Sequence, residues 1–168
     1  MCPLSGAVGE RLARWAGLEP QPGGTRYGQW YWPLVAAFEC RNLLERYPGP
    51  QGEGAALPMG PAREAAAELE AELDGRRVVL LGTRLPAALS LPWPAPMFEW
   101  RTSPRRIPAN TLPMEGDGYV LRLGTEFEYA VIPHPSGLNR AYNDPLNVRA
   151  ASAVLRRCLE PDAPLELL

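Results

Sequence analysis

RRVVLLGT, residues 76–83, puts four large apolar side chains in a row between two arginines and a glycine. A strand with one wet face alternates apolar and polar residues. An unbroken apolar run instead marks a strand buried on both faces, as in a parallel sheet. The stretch before it, MGPAREAAAELEAELDG (59–75), is patterned as a helix. Pro61 falls in its first turn, Gly75 stops it, and Ala65, Leu69 and Leu73 recur at helical spacing. A helix feeding a doubly buried strand is the repeating step of α/β domains. RLPAALSL (84–91) then gives a short helix or turn.

The same alternation extends in both directions. SGAVGERLARWAGL (5–18) predicts a helix with Ser5 as N-cap, Leu12, Trp15 and Ala16 on one face, and Gly17 as its stop. In WYWPLVAAFECRNLLERYPG (30–49) the end, FECRNLL, reads as a short strand opening into a proline- and glycine-rich loop. LPWPAPMFEWRTSPRRIPANTLPMEGDG (91–118) is long and irregular, which predicts a functional loop or a covering segment. YVLRLGTEFEYAVIPHP (119–135) holds two strand-like runs, with LGTE between them able to turn a hairpin. Asp144 caps a last helix, PLNVRAASAVLRRCLE, that has Pro145 at its first position. The whole, residues 1–168, reads as a single α/β domain.

Composition sets bounds on function. Nearly half the residues are apolar, enough to build a core at this length. The formal charge is -2, so attraction to a polyanion must come from a local basic patch. All 17 basic residues are arginine, and with 20 prolines this fits a GC-rich genome as well as it fits phosphate recognition. Three scattered cysteines, Cys2, Cys40 and Cys158, suit neither a disulfide framework nor a zinc site. The expected setting is a reducing bacterial or phage-infected cytoplasm, with no signal peptide and no membrane span.

The candidate site is HPSGLNR, residues 134–140, where the buried run AVI becomes a glycine-bearing loop. In open α/β sheets, sites collect at the carboxyl ends of strands. His134 is the chain's one histidine, and Pro133 and Pro135 fix the backbone on either side of it. A stiffly anchored neutral imidazole can donate one hydrogen bond to an oxygen that gains negative charge. Ser136 offers a hydroxyl and an N–H to a phosphate. Gly137 permits close approach, and Leu138 is an apolar tip of the kind that wedges between bases. Asn139 belongs to the same loop, and Arg140 suits a phosphate or a base face. The bland alternative is a turn with a half-buried histidine.

HPSGLNR resembles the His-Pro-Ser motif, with its leucine- and arginine-bearing loop, of the uracil-DNA glycosylase superfamily. Its Pro-Ser-Gly-Leu part is similar to the mismatch-specific branch, which usually has asparagine at the position of His134. PLSGAVGERLARWAGL resembles the Pro-Phe-x-Gly-x-x-Gly-x-x-Leu helix of the thermostable branch. NLLERYPG resembles that branch's Asn-x-Val segment, and RRVVLLGTRLPAAL its Val-x-Leu-Gly strand and turn. The segments stand in family order.

The resemblance implies a three-layer α/β/α sandwich with a small, mostly parallel central sheet. It implies a monomer that flips a nucleotide from DNA and hydrolyses its N-glycosidic bond, with no metal or cofactor and no membrane partner. His134 would then face the base oxygen, Asn42 would read the base's Watson–Crick edge, and Ser136 would touch a flanking phosphate. Gly137 and Leu138 would fill the gap in the duplex, with Asn139 and Arg140 near the backbone. The family's first motif, a Gly-x-x-Pro-Gly loop that positions the attacking water, has no counterpart here. The start of the chain would then be cut short, catalysis lost, or the water held by another residue such as Glu39, Glu45 or Asp117.

Two further stretches invite a nucleic-acid reading. RYGQWYW (26–32) gathers aromatics beside Arg26, as a stacking surface or as core. FEWRTSPRR (98–106) brings Arg101, Arg105 and Arg106 together, as a phosphate patch or a solvated loop.

Overall fold

The computed structural model describes residues 4, 6–44, 57–104, 126–136 and 139–160. Among them, three strands form one open sheet in the order β1-β3-β2. β1 (Arg77–Leu81) and β3 (Glu128–Ile132) run parallel, in a register that pairs Leu80 with Val131 and Leu81 with Ile132. β2 (Trp100–Thr102) lies antiparallel on the other edge of β3, with Trp100 opposite Ala130. The segment expected to be irregular therefore contributes a strand. Ser103 extends the pairing, its N–H donating to Phe127 O and its hydroxyl accepting from Phe127 N.

β3 is the buried centre, and its side chains divide by strand periodicity. Ala130 and Ile132 join a core with Leu12, Ala13 and Ala16 of α1 (Ala7–Ala16) and with Trp30 and Leu34 of α2 (Gly28–Ala37). Val154 and Leu155 of α5 (Pro145–Leu159) complete that face. Tyr129 and Val131 point the other way, into a second core with Ala66 of α3 (Met59–Glu70), Leu73, Leu80, Leu89 and Leu91. β1 divides in the same way: Val79 and Leu81 pack on the first core, Leu80 and Val78 on the second. The unbroken apolar run of RRVVLLGT is thus a consequence of having a core on each side. A short helix, α4 (Leu85–Ala88), follows β1 directly.

Several ends match their sequence signals. Gly17 closes α1 at φ 76°, a left-handed value that glycine adopts without strain. The Asp144 carboxylate accepts from Leu146 N at 2.9 Å and starts α5, with Pro145 in the first turn. Ser5 and the YVLRL half of the expected hairpin lie outside the described residues.

FECRNLL is not a strand. The helical pairing of Trp30 with Leu34 carries α2 through Pro33 to Ala37, after which Phe38 turns extended. The segment then finds no strand partner among the described residues. Side chains hold it instead: Glu39 is bridged by Arg41 and Arg76, and Arg41 reaches Glu72 beyond α3. No helix among the described residues is long and apolar enough to cross a membrane.

Candidate functional site

The two parallel strands end side by side, and a cleft of about 350 Å³ opens just beyond them. Leu81, Gly82, Thr83, Arg84 and Leu85 line it from β1 and its turn; Pro133, His134 and Asn139 line it from β3 and its loop. Leu57 closes another side. This is the crevice outside strand carboxyl ends where open α/β sheets carry ligands. Gly82 holds φ 141° there while its N–H donates to Ile132 O at 2.9 Å. A side chain at that φ would be strained, so the glycine lets the ladder run one step further before the turn.

His134 is fixed through its backbone. The Tyr142 hydroxyl donates to Pro133 O, the Asn139 amide donates to His134 O at 3.1 Å, and Arg11 donates to Pro135 O at 2.9 Å. Three successive carbonyls are therefore tied by three side chains, one of them from α1. Pro133 and Pro135 are buried, while the His134 ring stands partly open at the cleft. Although His134 is exposed, partial desolvation lowers its pKa from the usual histidine value, which favours the neutral imidazole. Asn139 also accepts from Ala141 N at 3.0 Å and so caps the short 3-10 turn Arg140–Asn143. Asn147 of α5 donates to Ala141 O at 2.8 Å and steadies that turn from below. Burial raises the Tyr142 phenol to about 12, with Arg11 opposing the shift, so it remains a donor.

The expected site residues separate into groups. His134 and Asn139 line the cleft. Ser136 is half-buried beside it, its carbonyl accepting from Asn139 N at 3.1 Å, and Arg140 is exposed. Gly137 and Leu138 lie outside the described residues. Asn42 is exposed, stands in no strand and does not line this cleft. Glu39 sits away from it as well, its carboxyl held below the usual range by Arg76 and then by Arg41. Glu45, Asp117, Arg105 and Arg106 lie outside the described residues, and Arg101 pairs with Glu99 on the sheet edge. No carboxylate belongs to the described lining of the cleft, and no cluster of metal-binding side chains occurs among the described residues.

Two features escaped the sequence. Trp93 is 60 % exposed, yet its indole N–H donates to Thr83 O at 2.9 Å, on a residue that lines the cleft. Its signal was a tryptophan inside a proline-rich run, which says nothing about where the ring points. The second is the bond from Arg11 to Pro135 O, which spans 124 positions and follows no local pattern. The aromatic stretch 26–32 divides: Trp30 is core, Trp32 and Tyr27 are exposed. Compared with family profiles, characterised proteins and solved structures, the chain matches none.

Proposed function

We propose that this protein receives a base everted from DNA in the strand-end cleft, and that it is a DNA glycosylase of the uracil-DNA glycosylase type. The observation that carries this reading is the neutral, backbone-locked His134 at a cleft beyond two parallel strands. As the N-glycosidic bond breaks, its electron pair passes to the base and negative charge builds on the carbonyl oxygens of the base. An imidazole N–H that donates to that oxygen stabilises the charge, and the locked backbone leaves only the side-chain torsions to set its direction. Trp93 offers an exposed aromatic face beside the same cleft wall, suited to stacking on a planar base. Ser136 and Arg140 stand on the same loop for the flanking backbone.

A second reading is favoured by the lining itself. Hydrolysis needs an acid or amide to orient water, and the described lining holds no carboxylate. The Asn139 amide is engaged at both ends by the loop it caps. Under this reading the cleft binds a base and does not cleave the bond. Cleavage and binding of a single-uracil oligonucleotide, measured for wild type and His134→Ala, separate the two. Cleavage by wild type that drops about 100- to 1000-fold in the variant supports the enzyme. Binding without cleavage in both supports the second reading, and no binding in either overturns both.

A further inference from the structure

A second cleft, of about 290 Å³, lies against α1 and is lined by Ala7, Glu10, Arg11, Arg14 and Arg26. Its charged residues are three arginines and one carboxylate, an excess of two positive charges on a chain whose total is -2. Glu10 is only 9 % exposed, and each of its oxygens holds a different guanidinium: Arg14 at 3.0 Å and Arg26 at 3.4 Å. The same two guanidiniums lie over aromatic rings, Arg14 over Trp30 at 4.8 Å and Arg26 over Tyr27 at 5.6 Å. Each is therefore held on one edge and one face while its side chain stays largely exposed, 59 % for Arg14 and 75 % for Arg26. A guanidinium carries five N–H donors, so the ion pairs with Glu10 leave both with donors for a ligand. These contacts remove part of the side-chain entropy that an arginine loses on meeting a ligand.

We propose that this cleft is a phosphate-binding subsite, and that its occupant is a backbone phosphodiester of the nucleic acid whose base enters the first cleft. The choice of phosphate follows from fork-shaped donors converging with net positive charge, which match a tetrahedral oxyanion. The choice of backbone follows from Arg11. It lines this cleft and also donates to Pro135 O, on the loop that carries His134. An anion held here is one side chain away from the candidate site. The identity of the occupant rests on the function proposed above; the phosphate chemistry does not.

The test is a salt titration of oligonucleotide binding for wild type, Arg26→Gln, Arg14→Gln and, as a control, the exposed Arg63→Gln, with circular dichroism confirming that each is folded. Inorganic phosphate is titrated in parallel, read by thermal shift. Loss of one phosphate contact is expected to weaken binding about threefold to tenfold and to flatten the log K against log salt slope by about 0.9 for duplex DNA. That result in Arg26→Gln and Arg14→Gln, with Arg63→Gln unchanged, supports the backbone as occupant. Normal slopes in both site variants overturn the subsite while leaving the proposed function standing. If wild type binds no oligonucleotide, the proposed function falls. Saturable stabilisation by phosphate that is lost in Arg26→Gln would then retain the subsite for a free phosphate, and its absence would end the proposal.

Discussion

His134 owes its position to hydrogen bonds made to the backbone on either side of it and at its own carbonyl. With Pro133, His134 and Pro135 each held at the carbonyl, the backbone is fixed and only the side-chain torsions stay free. The ring contributes little to packing, so His134→Ala should shift stability by no more than about 0.5 kcal/mol while removing activity in the cleft. The pH dependence has a definite sign. Burial depresses the folded-state pKa below the unfolded value of about 6.5, so the folded state prefers the neutral ring. The stabilising contribution is full above about pH 6.5 and is lost as pH falls through the folded pKa. Any activity that uses neutral imidazole should follow the same course, level above that point and declining below it. A pH–rate profile checks this, and a decline that begins well above pH 6.5 would assign the titration to another group. Trp93→Ala belongs to this scale too. A stacked base is worth about 1–3 kcal/mol, so ligand affinity should fall by that amount with little change in melting temperature.

The tethers act between elements. Tyr142→Phe deletes the O–H that serves Pro133 O and leaves a buried carbonyl without that donor. The expected cost is about 1 kcal/mol, or about 2–4 °C in melting temperature for a chain of this size. Amide exchange should speed up at Asn139 and Ala141, whose N–H groups are hydrogen-bonded within the loop, and stay unchanged in α3, on the opposite face. Asp144→Ala removes the cap of α5 and should cost about 0.5–2 kcal/mol in urea denaturation. Elements with strong local signals were legible in the sequence: the capped α5, the glycine-stopped α1 and the strand β1, which packs toward a core on each face although it is an edge strand of the described sheet in which only Leu80 is buried. FECRNLL was misread because its apolar residues suit a strand, whereas what decides a strand is a partner edge, and no local pattern supplies one. β2 was missed for the converse reason, since Trp100–Thr102 is too short for a period and is a strand only because Glu128, Tyr129 and Ala130 of β3 face it. In the site, the position of His134 at a strand's end was readable. The tie from Arg11 and the indole of Trp93 were not, because both depend on tertiary contacts.

At the scale of the whole molecule, β3 is, among the described residues, the one strand that both neighbours pair with and both cores share. Its side chains from Tyr129 to Ile132 are almost completely buried, two on each face. A truncation on either face should therefore be felt on the other. Val131→Ala enlarges the second core and Ile132→Ala the first, at costs of about 1–3 and about 2–5 kcal/mol. The tryptophans make the coupling measurable. Trp30 is buried in the first core and Trp15 and Trp100 pack against it, while Trp32 and Trp93 are already exposed. Tryptophan fluorescence thus reports mainly on the first face, and far-UV circular dichroism on the helices of both. If β3 makes the two faces one cooperative unit, Val131→Ala moves both urea transitions by the same amount, although it lies on the face without tryptophan. Transitions that separate, with fluorescence unmoved, would show two faces that unfold independently and a sheet too narrow to join them. His134 comes three residues after Val131, so in the coupled case the same variant should also loosen the loop that carries the imidazole.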